Sequence, residues 1–125
     1  MTLSDRQWEF LQDFAKLIAF AESNGFKLTG GELYRTAEQQ AIYFANGLSK
    51  KDRSLHQDRL AIDLNFFHGD DLLTDRATLQ KLGDHWESLS EYNMWGGNYP
   101  KYLHTTFYDA PHFERRMALR PGVRG

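Results

Sequence analysis

The chain has no cysteine. That excludes disulfides, thiolate zinc fingers and cysteine nucleophiles together, and leaves His, Asp and Glu as its strong metal ligands. No apolar run approaches the roughly 18 residues of a membrane span, and the N-terminus, MTLSDRQWEF, lacks the basic stretch and apolar core of a secretory signal. The expectation is a protein made and kept in the cytoplasm, not inserted in a membrane, that needs some means of release to reach a substrate outside. Positive charge is not in excess either: the net charge is −2 and the pI about 6.2, so the totals give no support to the long basic surface of a nucleic-acid binder. Internal repeats and low-complexity stretches are missing as well. What is present is a globular composition, 41% hydrophobic and 26% charged, with Phe 9, Tyr 6 and Trp 3. A length of 125 residues makes one domain with one core, and a monomer is expected.

The pattern predicts a helix over 4–24, capped by Ser4, in which Trp8, Leu11, Phe14, Ala15, Ile18 and Ala21 recur at three- and four-residue steps before Asn24-Gly25 ends it. Phe26 to Tyr34 reads as a strand interrupted by Gly30-Gly31, which implies a bulge or a close approach of backbone to a ligand. Thr36 followed by Gln39 is a capping-box signature for a second helix over 37–46, closed by Gly47. A short charged linker, Leu48 to Arg53, follows. Leu60, Ile62 and Leu64 alternate with Ala61, Asp63 and Asn65, the period of a half-buried strand with Asp63 opposite the leucines. His68-Gly69-Asp70-Asp71 reads as a turn, and Thr74 or Asp75 starts a third helix whose buried stripe is Leu79, Leu82, Trp86 and Leu89. Ser90 to Tyr102 reads as an aromatic loop with Trp95-Gly96-Gly97 at a cleft. A last strand runs from Thr105 to Arg116, broken at Pro111, before a frayed tail over 119–125. The whole predicts a compact α+β domain, a small and mostly antiparallel sheet packed with about three helices.

The chemistry gathers around SLHQDRLAIDL, residues 54–64. His56 lies seven residues before Asp63, an odd separation that puts the two on opposite faces of one unbroken strand. They converge only if Gln57, Asp58 and Arg59 turn or bulge the chain. Alone, such a pair is ordinary on a half-buried strand. A hydrolytic zinc site takes three ligands from His and carboxylates and leaves a position for water. His56, Asp63 and His112 would make that set, and Asp109, three residues before His112 and across Pro111, is placed to act as the base beside it. Glu114, on the strand face of His112, is a candidate for orienting that ring. His68, His85 and His104 have no partner at metal spacing.

Ser54-x-His56-x6-Asp63, with Asp109-x-x-His112-Phe113-Glu114 late in the chain, resembles the signature of the M15 family of zinc D,D-carboxypeptidases and L-alanyl-D-glutamate endopeptidases. Tyr34-Arg35-Thr36 with Glu38-Gln39, and Trp95-Gly96-Gly97, extend the resemblance from about Gly30 to Arg115. It implies a D,D-peptidase or hedgehog-like fold, Zn2+ held by His56, Asp63 and His112, Asp109 as catalytic base, and Arg35 and Ser54 as groups that bind substrate. Arg35 would then pair with a substrate carboxylate or with the oxyanion of an attacked peptide carbonyl. The substrate implied is the peptidoglycan stem peptide, cut by a phage or prophage endolysin. Many members have glycine where this chain has Arg59. A zinc-containing wall- or protein-binding module without activity, and a metal-free phage structural protein, are the rival readings.

Overall fold

A computed structural model describes residues 1–47 and 54–123; the charged linker predicted at Leu48 to Arg53 and the final Arg124-Gly125 lie outside these. Helix α1 (Leu3–Ser23) differs from its prediction at the cap and on the buried face. Thr2, not Ser4, is the N-cap, because its hydroxyl accepts from the Asp5 N–H while the Asp5 carboxylate accepts from the Thr2 N–H. The buried residues are Phe10, Asp13, Leu17 and Ala21, whereas Trp8, Leu11 and Ile18 are exposed. Apolar residues recur on two sides of this helix, and a buried polar cluster decides between them. Asp13 accepts from Asn93 Nδ2 at 3.0 Å and lies 3.7 Å from the Arg115 guanidinium, which also pairs with Glu9. A count of apolar periodicity passes over a buried aspartate and turns the stripe off the buried face, so that of the predicted residues Ala21 is buried and Phe14 packs against the core while Trp8, Leu11, Ala15 and Ile18 are exposed.

Among the described residues five strands form one antiparallel sheet: β1 (Lys27–Gly30), β2 (Ala61–His68), β3 (Asp71–Leu73), β4 (Asn93–Trp95) and β5 (His112–Arg115), in the order β1-β2-β5-β4 with β3 paired to β2. Strand β2 is the long central element. Beyond Gly30 its ladder with β1 slips: Gly31 N–H donates to Asp63 O at 2.7 Å, but Asp63 N–H donates to Glu32 O at 2.9 Å. Two residues thus face one, as in a bulge. A Cβ on Gly31 would meet the Asp63 carbonyl oxygen at 3.0 Å, so the close approach anticipated for these glycines is to the backbone of Asp63.

Helix α2 (Ala37–Ala45) is capped by the Thr36 hydroxyl, which accepts from Gln39 N–H at 3.0 Å. Helix α3 (Arg76–Leu89) starts at the Asp75 cap and buries Leu79, Leu82 and Trp86, with Leu89 partly covered. These join Phe10, Leu17, Phe26, Leu64, Phe66, Trp95 and Phe113 in one core between α1, α3 and the sheet. Gly83 lies on the same face of α3, where a Cβ would come within 2.1 Å of the Trp95 ring. Gly83→Ala should therefore cost about 1–3 kcal/mol by overpacking, against the roughly 1 kcal/mol that alanine gains in helix propensity; urea denaturation measures the balance.

Three stretches correct their predictions. Ser90 to Tyr102 is not a loop: it holds β4, a 3₁₀ turn (Gly96–Asn98) and a short helix α4 (Tyr99–Tyr102). All three residues of β4 are buried, so no alternation marks it. The last strand is confined to β5, because 105–111 is irregular up to Pro111, which has no N–H to give a ladder. The tail is anchored as far as Val123, for Arg120 Nη1 donates to the carbonyls of Glu87, Ser90 and Asn93, and Arg120 N–H to that of Glu91.

Candidate metal centre

Asp63 and His112 are direct cross-strand partners where β2 meets β5. His56 reaches the same point from a 3₁₀ turn, Leu55–Asp58. Ser54 caps that turn, its hydroxyl accepting from His56 N–H at 3.2 Å while its own N–H donates to Gln57 Oε1 at 2.9 Å. Arg59 then takes the left-handed conformation, φ 55°, and Leu60 N–H closes on Leu55 O at 3.0 Å. This reversal brings the two side chains together despite their odd separation. It also accounts for Arg59 at a position suited to glycine: the backbone still turns left-handed, and the guanidinium rests 4.2 Å above the Tyr34 ring. Arg59→Gly should stay within about 1 kcal/mol of wild type, trading that contact for relief, whereas the β-branched Arg59→Val should cost about 1–2 kcal/mol; thermal melting distinguishes them.

His56 Nε2 and His112 Nδ1 stand 3.4 Å and 3.5 Å from Asp63 Oδ1. Two bonds of about 2.0–2.1 Å opened to a tetrahedral angle set their outer atoms about 3.4 Å apart, the spacing a zinc ion needs. Asp63 Oδ1 is buried and, among the described residues, has no hydrogen-bond partner, a costly state for a charged oxygen unless a cation completes it. One ligand atom from each of the three residues falls within 4.8 Å of the others, and among the described residues no second group of this kind occurs. His68 and His85 instead stack on Phe26 and Phe20, and His104 is exposed.

The partner of each ring fixes which nitrogen faces the centre. His56 Nδ1 is 2.9 Å from the Leu33 carbonyl, which can only accept, so the proton is on Nδ1 and the Nε2 lone pair faces Asp63. His112 Nε2 is 2.8 Å from Glu114 Oε1, which leaves Nδ1 facing Asp63. Burial opposes charge on both Asp63 and His112, and their neighbours outweigh it. The flanking imidazoles hold the Asp63 carboxyl well below the usual range, and the carboxylates of Asp63 and Glu114 raise His112 above the ordinary histidine value. The pocket favours a positive charge beside Asp63, which a metal ion provides as a proton does.

Asp109 belongs to the turn entering β5. Its N–H donates to Gly96 O at 3.0 Å and its carbonyl accepts from His112 N–H at 3.1 Å. Burial, the largest influence, raises its carboxyl above the usual aspartate value, and the charges of His112, Asp63, His56 and Arg35 also act on it. Arg35 follows β1 rather than ending it. Its N–H donates to His56 O at 3.2 Å, its Nε pairs with Glu32, its Nη1 donates to Gln40 Oε1 at 2.6 Å, and its guanidinium lies 4.7 Å from the Tyr43 ring. The Ser54 hydroxyl accepts within its cap and keeps its own proton to donate.

Sequence reasoning missed Glu32 and Gln40, which hold Arg35, and singled out Gln39 as part of the cap. Gln40 is the one fully buried residue of α2, while Ile42 and Phe44 of the same helix are exposed. An apolar pattern therefore points the helix the other way. The usable signal was the Thr36 cap, which makes Arg35 the residue before the cap and Gln40 the fourth of the helix, two positions that meet across a helix start.

The architecture is that of an α+β domain with a small antiparallel sheet, as the helix and strand pattern predicted, with four helices among the described residues where about three were expected. Among solved structures it is similar to the Serratia marcescens L-Ala D-Glu endopeptidase ChiX, with a TM-score of 0.64 and 19% identity, over 83% of this chain and 78% of that one. The likeness is one of fold. No protein-family model matches the chain, and no curated protein matches it.

Proposed function

We propose that this chain is a zinc-dependent peptidase that hydrolyses a peptide bond in the peptidoglycan stem peptide, in the manner of the M15 peptidases. The observation that carries the reading is the buried, unpartnered Asp63 Oδ1 held at zinc-ligand spacing between two lone-pair nitrogens. A zinc ion held by His56, Asp63 and His112 would supply Lewis acidity and make water a nucleophile near neutral pH. Asp109 takes the proton of the attacking water and returns it to the leaving amine. With Nε and Nη1 of Arg35 engaged by Glu32 and Gln40, its Nη2 is the end offered to the substrate oxyanion or carboxylate. Ser54 supplies a further donor at the mouth of the 3₁₀ turn.

The fold neighbour cuts L-Ala-D-Glu, which favours an endopeptidase over a D-Ala-D-Ala carboxypeptidase. An enzyme of phage or prophage origin, released to the wall during lysis, fits this reaction. No helix among the described residues is long and apolar enough to cross a membrane. Digestion of purified peptidoglycan followed by mass spectrometry tests the reading: fragments with a new N-terminal D-Glu mark the endopeptidase, and free D-Ala the carboxypeptidase. A zinc-loaded protein that releases neither is the binding module.

A further inference from the structure

We infer that Tyr99, acting through Glu114, is a positioning residue for His112 and so sets the affinity of the centre for its metal; this rests on the reading that His56, Asp63 and His112 bind zinc. Glu114 is 2% exposed, and its backbone is fixed on β5 by Trp86 Nε1, which donates to its carbonyl at 3.0 Å. Its carboxylate meets donors from Tyr99, His112 and Arg116. The Tyr99 hydroxyl donates to Oε1 at 2.7 Å, His112 Nε2 reaches the same oxygen at 2.8 Å, and Arg116 Nη1 is 3.4 Å from Oε2. A carboxylate oxygen accepts two hydrogen bonds, and here the tyrosine takes the acceptor direction the histidine leaves. Tyr99 and Arg116 hold Glu114 from one side, and Glu114 holds the His112 N–H from the other. The ring plane, and with it the Nδ1 lone pair facing Asp63, follows from where that oxygen is fixed.

The hydroxyl of Tyr99 is the donor in this bond, since the Glu114 carboxylate 2.7 Å away accepts. Its ring is steadied by Phe107, with centroids 6.2 Å apart, and lies 5.9 Å from the His112 ring. Three residues on, in the same short helix, Tyr102 makes the same kind of bond, its hydroxyl donating to Glu87 Oε1 at 2.6 Å. Glu87 is also buried, but its other partners among the described residues are Trp95 N–H, Asn98 Nδ2 and the Arg120 guanidinium, 3.9 Å from Oε1, and no candidate ligand is among them. The two tyrosines differ in what the recipient carboxylate touches, and this makes each the control for the other.

The test compares wild type, Tyr99→Phe and Tyr102→Phe, each melted to establish folding, with zinc affinity read by chelator competition. The Tyr99→Phe variant should bind zinc about tenfold more weakly, the lower end of the 10–100-fold effect of groups that orient a ligand, while Tyr102→Phe stays within about twofold of wild type. Nitrogen NMR of isotope-labelled histidine should show the His112 Nε2 proton exchanging faster with water in Tyr99→Phe and unchanged in Tyr102→Phe. Wild-type zinc affinity in Tyr99→Phe, or equal weakening in the two variants, overturns the inference. A wild type that binds no zinc overturns the ligand reading beneath it.

Discussion

His112→Ala is expected to purify with little or no zinc. The substitution removes one of the three proposed ligands and leaves Asp63 with a single imidazole beside it. Loss of a group that merely orients a ligand weakens metal binding about 10–100-fold, and loss of the ligand itself should exceed that. The chain should still fold. Its core of Phe10, Leu17, Phe66, Trp86, Trp95 and Phe113 lies between α1, α3 and the sheet, and none of these side chains is a candidate ligand. Chelator-stripped wild type should accordingly melt in one cooperative transition at a lower temperature. A ligand that binds only the native state adds about 2.7 kcal/mol at a hundred times its dissociation constant, which is the scale of the shift expected. Atomic emission on gel-filtered protein gives the zinc content. Stoichiometric zinc in His112→Ala, at unchanged affinity, would remove His112 from the ligand set.

Local chemistry made parts of this fold legible in the sequence and global packing hid the rest. The caps at Thr36 and Asp75, the α3 stripe and the alternation of β2 each depend on neighbours a few residues away, so the pattern carries them. The buried side of α1 depends on a polar cluster drawn from Asp13, Asn93 and Arg115, far apart in sequence, which no apolar count registers. Strand β4 is three residues long and buried throughout, so it has no period to read. At the centre, the convergence of His56, Asp63 and His112 and the need for a turn at Gln57 to Arg59 were visible in residue chemistry and strand parity. The groups that aim the site were not: Leu33 acts through its carbonyl, Glu32 and Gln40 through contacts with Arg35, and Tyr99 through a carboxylate fifteen residues on.

Asp109→Asn is expected to keep its zinc and lose its activity, a combination that separates a peptidase from a binding module. The turn that places Asp109 is made by backbone groups, its N–H to Gly96 O and its carbonyl to His112 N–H, so the amide inherits the position of the acid. Glycine at 96 is what permits this approach, since a Cβ there would lie 2.2 Å from the Asp109 carbonyl oxygen. The carboxyl stays outside the three-residue ligand set, yet within reach of its charges. Burial raises its pKa, and the nearby Asp63 charge adds to that, which makes it a stronger proton acceptor than an exposed aspartate. Asparagine keeps the shape and much of the hydrogen bonding but cannot take a proton. Loss of a general base costs on the order of 10² to 10⁴ in rate, so wall-fragment release at neutral pH should fall by that factor with zinc content and melting temperature near wild type. Full activity in zinc-loaded Asp109→Asn would assign the proton to another acceptor.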